Sequence, residues 1–474
     1  MGYEAMPIEI LCQIFHLLRE KSIAIHVLDK RSEHFDGFPW AVGQVCRHWR
    51  EAFLSYPDLW TSLSLEYIYV PGAVVDSVDG FAEMNRRTTL YLERSGQQPL
   101  TITVSISSVP EFKKIEEFPR AAWRSLLSCS NRWKRADLML GNKRSMVDDL
   151  LECRNQISIL ESMNLDINAM ITECKPQDSA FAVAPRLIEL NLRHYGENGR
   201  WVFPWSQLKK LRVEMDNEIL LSQVQNVEEL RFIVPYGGLG LPDLNPSFPV
   251  RLPHVRLFEV PLNYYHRIFE WFEMPLLEHL CVYDYMKFFL FPEGRKAEIA
   301  SLINHSSCRI RCLTLQFCRG EVARIIMGTL AASIERLCIK DSVQGTVPPL
   351  IRLIADSNNG VHLPNLQELE VICCPGQAGE EFLAAIFYLL KVRGKPSRLA
   401  LAGHRVVPLK MVTVQLELSN GCSWLTQCHH DLNEESRIKI LDKVVETVRS
   451  WSFIADISFD ETHSQIRIKP HFGE

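Results

Sequence analysis

Three arginines, Arg193, Arg212 and Arg231, recur near the same position of a repeated, strand-like pattern in the sequence. A guanidinium group binds carboxylates and phosphates through paired hydrogen bonds, so this spacing predicts a surface that binds an anionic group on a target. Because side chains alternate across a strand, the same pattern places four further residues on this face: His279, Tyr283, Arg336 and Lys340. Of these, Tyr283 is expected to be the best single anchor, because aromatic side chains often dominate interface energy. The alternative is a solvated charged face, with the real contacts made by loops.

The sequence contains none of the common catalytic motifs. It lacks G-x-x-x-x-G-K-[ST], H-E-x-x-H and G-x-S-x-G, so no phosphate-binding loop, zinc protease helix or serine nucleophile is predicted. The segment CSWLTQCHH (422–430) lacks the C-x-x-C pair usual in structural zinc sites, and its adjacent histidines point in different directions. We therefore expect a chain without enzymatic activity, cofactor or metal.

The arginines belong to a leucine-rich pattern, L-x-x-L-x-L with conservative replacements, whose last two apolar positions alternate as a strand requires. Side chains alternate across a strand, so the residues between the leucines are predicted to share the opposite face. A weaker ninth copy, Leu160/Met163/Leu165, precedes the others. The eight clear copies are Leu187/Leu190/Leu192, Leu208/Leu211/Val213, Val227/Leu230/Phe232, Val255/Phe258/Val260, Leu277/Leu280/Val282, Ile310/Leu313/Leu315, Ile334/Leu337/Ile339 and Leu366/Leu369/Val371.

Successive copies start 19 to 33 residues apart, against about 20–29 in ordinary leucine-rich repeats. A single repeat cannot bury its own apolar face and must stack on its neighbours. The pattern therefore predicts an α/β fold with an irregular leucine-rich-repeat solenoid: a curved parallel sheet with helices on its convex side. The alternative is a conventional α/β domain with leucine-rich strands. Helices are expected between the strands at 218–224, 264–272, 296–303, 322–330 and 380–392.

The flanks of this array predict the rest of the domain organisation. Residues 63–166 are interpreted as irregular connecting or early repeats, residues 167–405 as the leucine-rich repeats, and residues 406–474 as a capping region. An open-ended repeat array needs such a polar cap. The cap is expected to contain a strand at 409–418, a helix at 433–451 and the strands FIADISF and SQIRIKP.

The first 62 residues contain two apolar helical runs, MPIEILCQIFHLL and VCRHWREAFLSYPDLW. Pro7 suits a first helical position, where its missing N–H is no loss. In the first run Ile10, Leu11, Ile14, Phe15 and Leu18 form one wide apolar stripe, and the second run repeats this spacing. Pairing the two helices with each other cannot hide all of this surface. The segment therefore predicts a module that docks on a partner.

These two runs resemble an F-box, whose pattern is Leu-Pro-x-Glu-[Ile/Leu]-[Leu/Ile]-x-x-Ile-Phe-x-x-Leu, followed by Val-Cys-[Arg/Lys]-x-Trp-[Arg/Lys] and Pro-x-Leu-Trp. In the first helix, only the leading Leu is changed, to Met6. An insertion at about 19–38 is typical of F-box-like proteins of the fungal type. The resemblance implies an F-box-like helical module over residues 1–62.

The resemblance also implies a function: substrate recognition for a Skp–cullin–F-box ubiquitin ligase, with the repeats binding a target protein. The residues implied to contact the Skp-family adaptor, and through it the cullin-RING ligase, are Pro7, Ile10, Leu11, Ile14, Phe15, Val45, Cys46 and Trp49. The alternative is a leucine-rich scaffold or sensor that does not engage the ligase. A second alternative is that the two helices only cap the first repeat.

Composition supports a globular chain in a reducing compartment. Of 474 residues, 47% are hydrophobic and 23% charged, and the net charge of -5 gives no basic surface for nucleic acid. No secretory signal or membrane-spanning stretch is recognised at the sequence level. The 14 cysteines are therefore expected to be reduced, in the cytoplasm or the nucleus.

Overall fold

The structure of the protein is a computed structural model, and only part of the chain is described in it. The described residues are 6–18, 23–27, 42–67, 77–106, 120–141, 144–167, 180–193, 202–214, 223–233, 249–262, 268–283, 295–318, 320–340, 347–355, 363–373, 380–393, 400–401, 404–405, 407–416, 446–449, 455–460 and 465–470.

The chain forms two compact units. The first comprises Met1–Val227 and Pro235–Gly237, and the second comprises Glu228–Val234 and Gly238–Glu474. Each unit is a mixed α/β structure with a large, mostly parallel sheet. None of the helices in the described part of the chain is long and apolar enough to cross a membrane.

The sheet of the first unit has seven described strands, which pair in parallel and in chain order. Parallel strands need a crossover connection between them, and the described helices that follow the first strand lie in those connections. The strands are β1 (Ile23–Val27), β2 (Ser62–Tyr67), β3 (Leu100–Ile106), β4 (Trp133–Gly141), β5 (Ser162–Ile167), β6 (Glu189–Arg193) and β7 (Lys210–Glu214).

The helices of the first unit whose bounds are described lie in its N-terminal two thirds; residue 223, further along, is also helical. They are α1 (Ile8–Leu18), α2 (Val42–Val45), α3 (Arg47–Ser55), α4 (Ser77–Arg94), α5 (Arg120–Ser128) and α6 (Arg144–Asp149). Single 3₁₀ turns at Pro57–Trp60, Ser130–Arg132, Leu150–Cys153 and Trp205–Gln207 complete the described connections.

The sheet of the second unit is parallel through most of its width and ends in two antiparallel strands. Its spatial order is β8-β10-β12-β13-β14-β15-β18-β20-β19, with β20 antiparallel to both of its neighbours. These strands are β8 (Glu229–Ile233), β10 (Leu257–Pro261), β12 (His279–Tyr283), β13 (Cys312–Gln316), β14 (Arg336–Lys340), β15 (Glu368–Cys373), β18 (Met411–Leu416), β19 (Ala455–Asp460) and β20 (Gln465–Pro470).

Two small strand pairs, four helices and a helical stretch at 446–449, within the helix expected at 433–451, accompany this sheet in the described residues. The pairs are the parallel β9 (Val250–Arg251) with β11 (Phe272–Glu273), and the antiparallel β16 (Ala400–Leu401) with β17 (His404–Arg405). The helices are α7 (Arg295–Ser306), α8 (Gly320–Thr329), α9 (Val347–Ala355) and α10 (Glu380–Arg393), and a 3₁₀ turn spans Ile268–Glu270.

The leucine-rich pattern marks the core of both sheets. Its nine copies, the weaker one included, coincide with β5, β6, β7, β8, β10, β12, β13, β14 and β15. Nine copies of three apolar positions give 27 side chains, and each of them is at most 2% exposed. Burying a side chain of this size stabilises the fold by about 1.5–3 kcal/mol. The predicted parallel strands and their buried faces are therefore confirmed.

One expectation about the connections needs correction. The described part of the run 264–272 forms a 3₁₀ turn and the start of β11 rather than a helix. Most of the run 218–224 lies outside the described residues. The helices expected at 296–303, 322–330 and 380–392 correspond to α7, α8 and α10.

Two of the predicted domain boundaries lie at the ends of strands of the first unit. The boundary at 62/63 falls within β2 and the boundary at 166/167 falls within β5. Both strands pair on either side with other strands of the first unit. Residues on the two sides of each boundary therefore share one sheet.

The N-terminal helices are connected to this sheet by a strand. β1 lies within residues 19–38, where the sequence predicted an insertion, and pairs in parallel with β2. It follows α1 and precedes α2 and α3 in the chain. The segment before residue 62 thus contributes an edge strand to the sheet as well as helices.

Candidate functional site

The two N-terminal helical runs pack on each other through aromatic rings. Phe15 of α1 lies with its ring centroid 5.4 Å from that of Trp49 and 6.5 Å from that of Phe53. Phe53 in turn lies 4.6 Å from Trp60, and the Trp60 Nε1 donates a hydrogen bond to the Phe53 carbonyl at 3.2 Å. Edge-on aromatic pairs add about 0.5–1.5 kcal/mol beyond their buried area. These contacts fix α1 against α3.

The second run is broken at Cys46 instead of forming one helix. Cys46 has an extended backbone, with φ -159° and ψ 172°, and its Sγ accepts a hydrogen bond from the Trp49 N–H at 3.5 Å. This side chain caps the free N–H groups at the start of α3. α3 ends at Ser55, before Pro57 opens a 3₁₀ turn.

The eight residues implied to contact an adaptor fall into three classes of exposure. Leu11 and Phe15 are fully buried within the first unit, so neither side chain is on its surface. Ile14, Cys46 and Trp49 are half-buried. The exposed residues are Pro7, Ile10 and Val45.

An apolar stripe remains on the outer side of α1. Ile10 is 43% exposed, Leu17 is 79% exposed, and the half-buried Ile14 lies between them in the sequence. The spacing i, i+4, i+7 places these three side chains along one face of a helix. Leu17 was not among the predicted contacts, since the F-box pattern does not mark it. The only feature of the sequence that could have identified Leu17 is its position about one helical turn after Ile14.

The polar face of the first unit's sheet brings together residues from β4 to β7. One row across four adjacent strands is formed by Asp137, Asn164, Asn191 and Arg212. The Asn164 Nδ2 donates to Asp137 Oδ1 at 2.7 Å. In the next row Asp166 of β5 lies opposite Arg193 of β6. The structure thus places Arg193 and Arg212 on neighbouring strands in one polar cluster.

Several polar atoms in this cluster are buried and unpaired. The Asn164 Oδ1, Asn191 Oδ1, Arg193 Nε and Arg212 Nε are inaccessible and have no hydrogen-bond partner. Sequence reasoning missed the contribution of Asp137 and Asn164, because the repeat copies on β4 and β5 are absent or weak. Asn191 could be found, because it lies between two leucines of a clear copy.

Burial changes the acidity of one carboxyl group in this cluster. Desolvation raises the pKa of Asp137 above its ordinary value of 3.8. The hydrogen bond from Asn164 and the positive charge of Arg193 act in the opposite direction, while the Asp166 carboxylate adds to the increase. The cluster thus contains carboxylates as well as guanidinium groups.

The second unit presents a different polar face, in which the cations have acidic partners. Arg231 lies 3.0 Å from the Glu229 carboxylate and 3.4 Å from that of Glu259. Arg336 lies 3.8 Å from the Glu368 carboxylate. Such partly exposed pairs each contribute about 0–1 kcal/mol, but they neutralise the positive charge. Arg231 therefore differs from Arg212 in its surroundings, although the two occupy the same position of the repeat; Arg193 lies two residues further along its own strand.

His279 and Lys340 lie half-buried on the same face of the second unit. The His279 Nε2 lies 2.9 Å from the Thr314 hydroxyl on the neighbouring strand. Burial and the positive charges of Arg231 and Arg336 lower the pKa of His279 below 6.5. This favours the neutral imidazole.

Tyr283 does not have the exposure expected of a binding anchor, so that prediction is wrong. It is 3% exposed, and its hydroxyl donates to the Phe232 carbonyl of β8. Cys281, two residues earlier on the same side of β12, is also buried. Strand alternation correctly places Tyr283 on the face of β12 opposite Leu280 and Val282. At Cys281 and Tyr283, however, this face is buried as well.

Several of the described cysteines are buried thiols with raised pKa values. Burial raises the pKa of Cys153 and of Cys338 to about 12 and also raises that of Cys281, which disfavours the nucleophilic thiolate. Within the described ranges, no three His, Cys, Asp or Glu side chains are placed to hold a metal. The segment 422–430 lies outside those ranges. The Cys318 thiol donates to the Val282 and Gln316 carbonyls.

Comparison with known proteins identifies no family. No family model matches the chain, and no curated protein is similar to it. A crystal structure of a protein from Bacteroides fragilis is similar over 52% of this chain and 61% of that chain, with 14% sequence identity and a TM-score of 0.25.

Proposed function

We propose that this chain is a non-catalytic target receptor of a Skp–cullin–F-box ubiquitin ligase. The N-terminal helices dock on a Skp-family adaptor, and the polar faces of the sheets bind a target protein. The observation that carries the docking half is the apolar stripe of Ile10, Ile14 and Leu17, which remains after α1 has packed on α3. The proposal implies action in the cytoplasm or the nucleus.

The distribution of exposed apolar side chains supports this docking surface. Twelve large hydrophobic residues are exposed in the described part of the chain, and five of them precede residue 60: Ile8, Ile10, Leu17, Val45 and Leu54. An apolar helix face presented in this way fits the groove of a partner protein. Burying a few such side chains contributes about 1.5–3 kcal/mol each, which is enough for stable docking.

Binding of purified Skp-family adaptor to the purified full chain tests this half of the proposal. A double variant, Ile10→Asp with Leu17→Asp, should lose adaptor binding by at least about tenfold and stay folded, since both side chains are exposed. Leu151→Asp, at another exposed apolar position, is the matched control and should bind normally. Equal adaptor binding by wild type and the double variant would show that Ile10 and Leu17 are not part of a docking surface.

A second function, a scaffold or sensor that does not engage the ligase, is favoured by a specific observation. Leu11 and Phe15, two residues that the F-box resemblance assigns to the adaptor, are buried inside the first unit. β1 also joins the N-terminal segment to the sheet of that unit. If the wild-type chain binds no adaptor at micromolar concentration and remains monodisperse, the result supports the scaffold or sensor function.

A further inference from the structure

A row of side chains runs along one edge of the first unit, just before the strands β4 to β7 begin. Backbone hydrogen bonds fix this row. The Glu161 N–H donates to the Lys134 carbonyl at 2.9 Å, and the Ile188 N–H donates to the Glu161 carbonyl at 3.0 Å. The Lys209 N–H donates to the Ile188 carbonyl at 2.8 Å. Neighbouring strands are about 4.8 Å apart, so the row is about 14 Å long.

A second row follows directly on the polar face of the sheet. Arg135 of β4 lies opposite Ser162 of β5, and Glu189 of β6 lies opposite both Ser162 and Lys210 of β7. Arg186 lies in the turn that leads into β6. We call the charged residues of these positions, together with Ile188, the basic edge: Lys134, Arg135, Glu161, Arg186, Ile188, Glu189, Lys209 and Lys210.

The basic edge is positively charged in a chain that is acidic overall. It contains five cations and two anions, a net charge of +3, whereas the whole chain has a net charge of -5. All five cations are exposed. The Lys134 Nζ lies 3.6 Å from the Glu161 carboxylate, which leaves four cations beside the single carboxylate of Glu189.

The equivalent positions of β8 to β15, in the second unit, do not carry this excess. Arg256 there lies 3.8 Å from the Glu278 carboxylate, and Arg309 and Arg311 lie 3.2 and 3.9 Å from that of Glu335. The repeat fold therefore does not require positive charge at these positions. The cations are Arg256, Arg309, Arg311 and Arg336, and the anions are Glu228, Glu229, Glu278, Glu335 and Glu368.

An aliphatic side chain lies within the basic edge. Ile188 is 49% exposed, and its neighbours in the row are Glu161 on one side and Lys209 on the other. Interfaces commonly have an apolar centre surrounded by a polar rim. The basic edge thus offers an apolar contact as well as charge.

Charge complementarity favours an acidic protein segment over a nucleic acid. The Glu161 and Glu189 carboxylates lie among the cations and would repel the continuous charge of a phosphate backbone. A peptide can place acidic side chains beside the cations and an apolar one on Ile188. An extended chain advances about 3.3 Å per residue, so about five residues span the row.

We propose that the basic edge binds an extended acidic segment of a target protein, with an aliphatic residue on Ile188 and Asp or Glu on both sides of it. This inference rests on the target-binding half of the proposed function and names the chemistry of the target. It places anion binding before the strands instead of at Arg193, Arg212 and Arg231.

The test measures binding of fluorescent, N-acetylated and C-amidated peptides to the full chain by anisotropy, in about 0.1 M salt. The probe has Leu flanked on each side by two Glu; comparison peptides replace every Glu by Gln, or Leu by Ser. Wild type should bind the probe at least about tenfold more tightly than the Gln peptide or a short DNA duplex, since several ion pairs form only with the probe. Equal binding of the Gln peptide, equal or tighter binding of the duplex, or no binding of the probe would overturn the inference.

Charge reversal connects binding to the basic edge. Arg135→Glu with Arg186→Glu should weaken probe binding by at least about tenfold and improve binding of a peptide with Lys in place of Glu. Arg124→Glu with Arg324→Glu, at exposed positions of α5 and α8, changes the net charge equally and should bind the probe as wild type does. Unchanged binding by the first pair, or equal losses in both pairs, would overturn the site.

A double-mutant cycle tests the apolar contact. Ile188→Gln should bind the probe about fivefold more weakly than wild type, because the burial of about half an aliphatic side chain is lost. It should bind the Ser peptide as wild type does. Losses of the same size with both peptides would show that the Leu of the probe does not lie on Ile188.

Stability and adaptor binding separate this inference from the proposed function. Because Arg135 and Arg186 are exposed, their reversal should shift the melting temperature by less than about 2 °C. If that pair is destabilised, Arg135→Gln with Arg186→Gln removes the charges more mildly and should still weaken probe binding. Wild type that binds adaptor but not the probe defeats this inference alone, whereas wild type that binds the probe but no adaptor defeats the ligase function alone.

Discussion

The Phe15 ring meets the Trp49 ring edge-on, with centroids 5.4 Å apart and an interplanar angle of 63°. Phe15 is fully buried, whereas Leu17, two residues later on the same helix, points outwards and is 79% exposed. One face of α1 thus supports the fold and another is available to a partner. The first prediction separates these two roles.

Phe15→Ala should destabilise the chain by about 3–5 kcal/mol, because it leaves a cavity between α1 and α3 in addition to the lost burial. Leu17→Ala should change the free energy of unfolding by less than about 0.5 kcal/mol, as is usual for exposed positions. Urea denaturation followed by tryptophan fluorescence measures both. Similar unfolding midpoints for the two variants would contradict the packing of α1.

The raised pKa of Asp137 leads to a second prediction, on acid stability. A carboxyl group with a folded-state pKa above its unfolded value stabilises the fold below the unfolded value, here 3.8. That contribution is lost as the pH rises through the folded-state pKa. Asp137→Asn keeps an acceptor for Asn164 and removes the buried charge, so it should be more stable than wild type at pH 7.

Thermal unfolding of Asp137→Asn and wild type across the acidic range checks this sign. The advantage of the variant should shrink as the pH falls towards 3.8 and disappear below it. Asp148→Asn, at an exposed position of α6, is the control and should not show this pattern. A variant that is less stable than wild type at pH 7 would mean that the charge of Asp137 is favourable in the fold.

His279 gives a third prediction, of opposite sign. Its pKa is lowered by burial and by two arginines, so the fold favours the neutral ring. The stability that depends on this ring is complete above pH 6.5 and is lost as the pH falls through the folded-state pKa. His279→Gln can still hydrogen-bond Thr314 and should flatten the loss of stability below pH 6.5. His254→Gln, at an exposed position, should leave the profile unchanged; an identical slope in both variants would refute the role of His279.

The sequence predicted the sheets well because their signal is local. Each strand of the repeat has two apolar residues at alternating positions and a third just before them, as in Leu187, Leu190 and Leu192. In parallel sheets of this kind the same face of every strand is buried, so each copy repeats the same information. Strand positions, buried residues and the membership of Arg193, Arg212 and Arg231 in one pattern all follow from it.

Elements without that local signal were missed. β1 has only five residues, and its partner β2 begins 39 residues after it does. α9 contains Pro348 and Pro349 near its start, which resembles a helix-breaking sequence. Proline is tolerated in the first turn of a helix because its missing N–H has no partner there. The positions of β1 and α9 therefore could not be predicted from local sequence, because both elements depend on contacts with distant parts of the chain.

The candidate sites required the structure for another reason. Alternation assigns a side chain to one side of a strand but does not say what covers it. Arg212 and Arg231 are equivalent in the repeat, yet Arg231 has two glutamates nearby while the Arg212 Nε is unpaired. In the same way, the F-box pattern assigns both Ile10 and Leu11 to the adaptor, although Ile10 is exposed and Leu11 is buried.

Tyr283 provides the last prediction, because its buried position reverses the role expected from the sequence. Its hydroxyl donates to the Phe232 carbonyl, and the ring is 3% exposed. Tyr283→Phe keeps the ring and leaves that carbonyl without its donor, which should destabilise the chain by about 1–3 kcal/mol. Target binding should not change, since the hydroxyl faces the interior. Equilibrium urea unfolding of the variant and of wild type measures this change, and equal stability of the two would contradict the structural role of the Tyr283 hydroxyl.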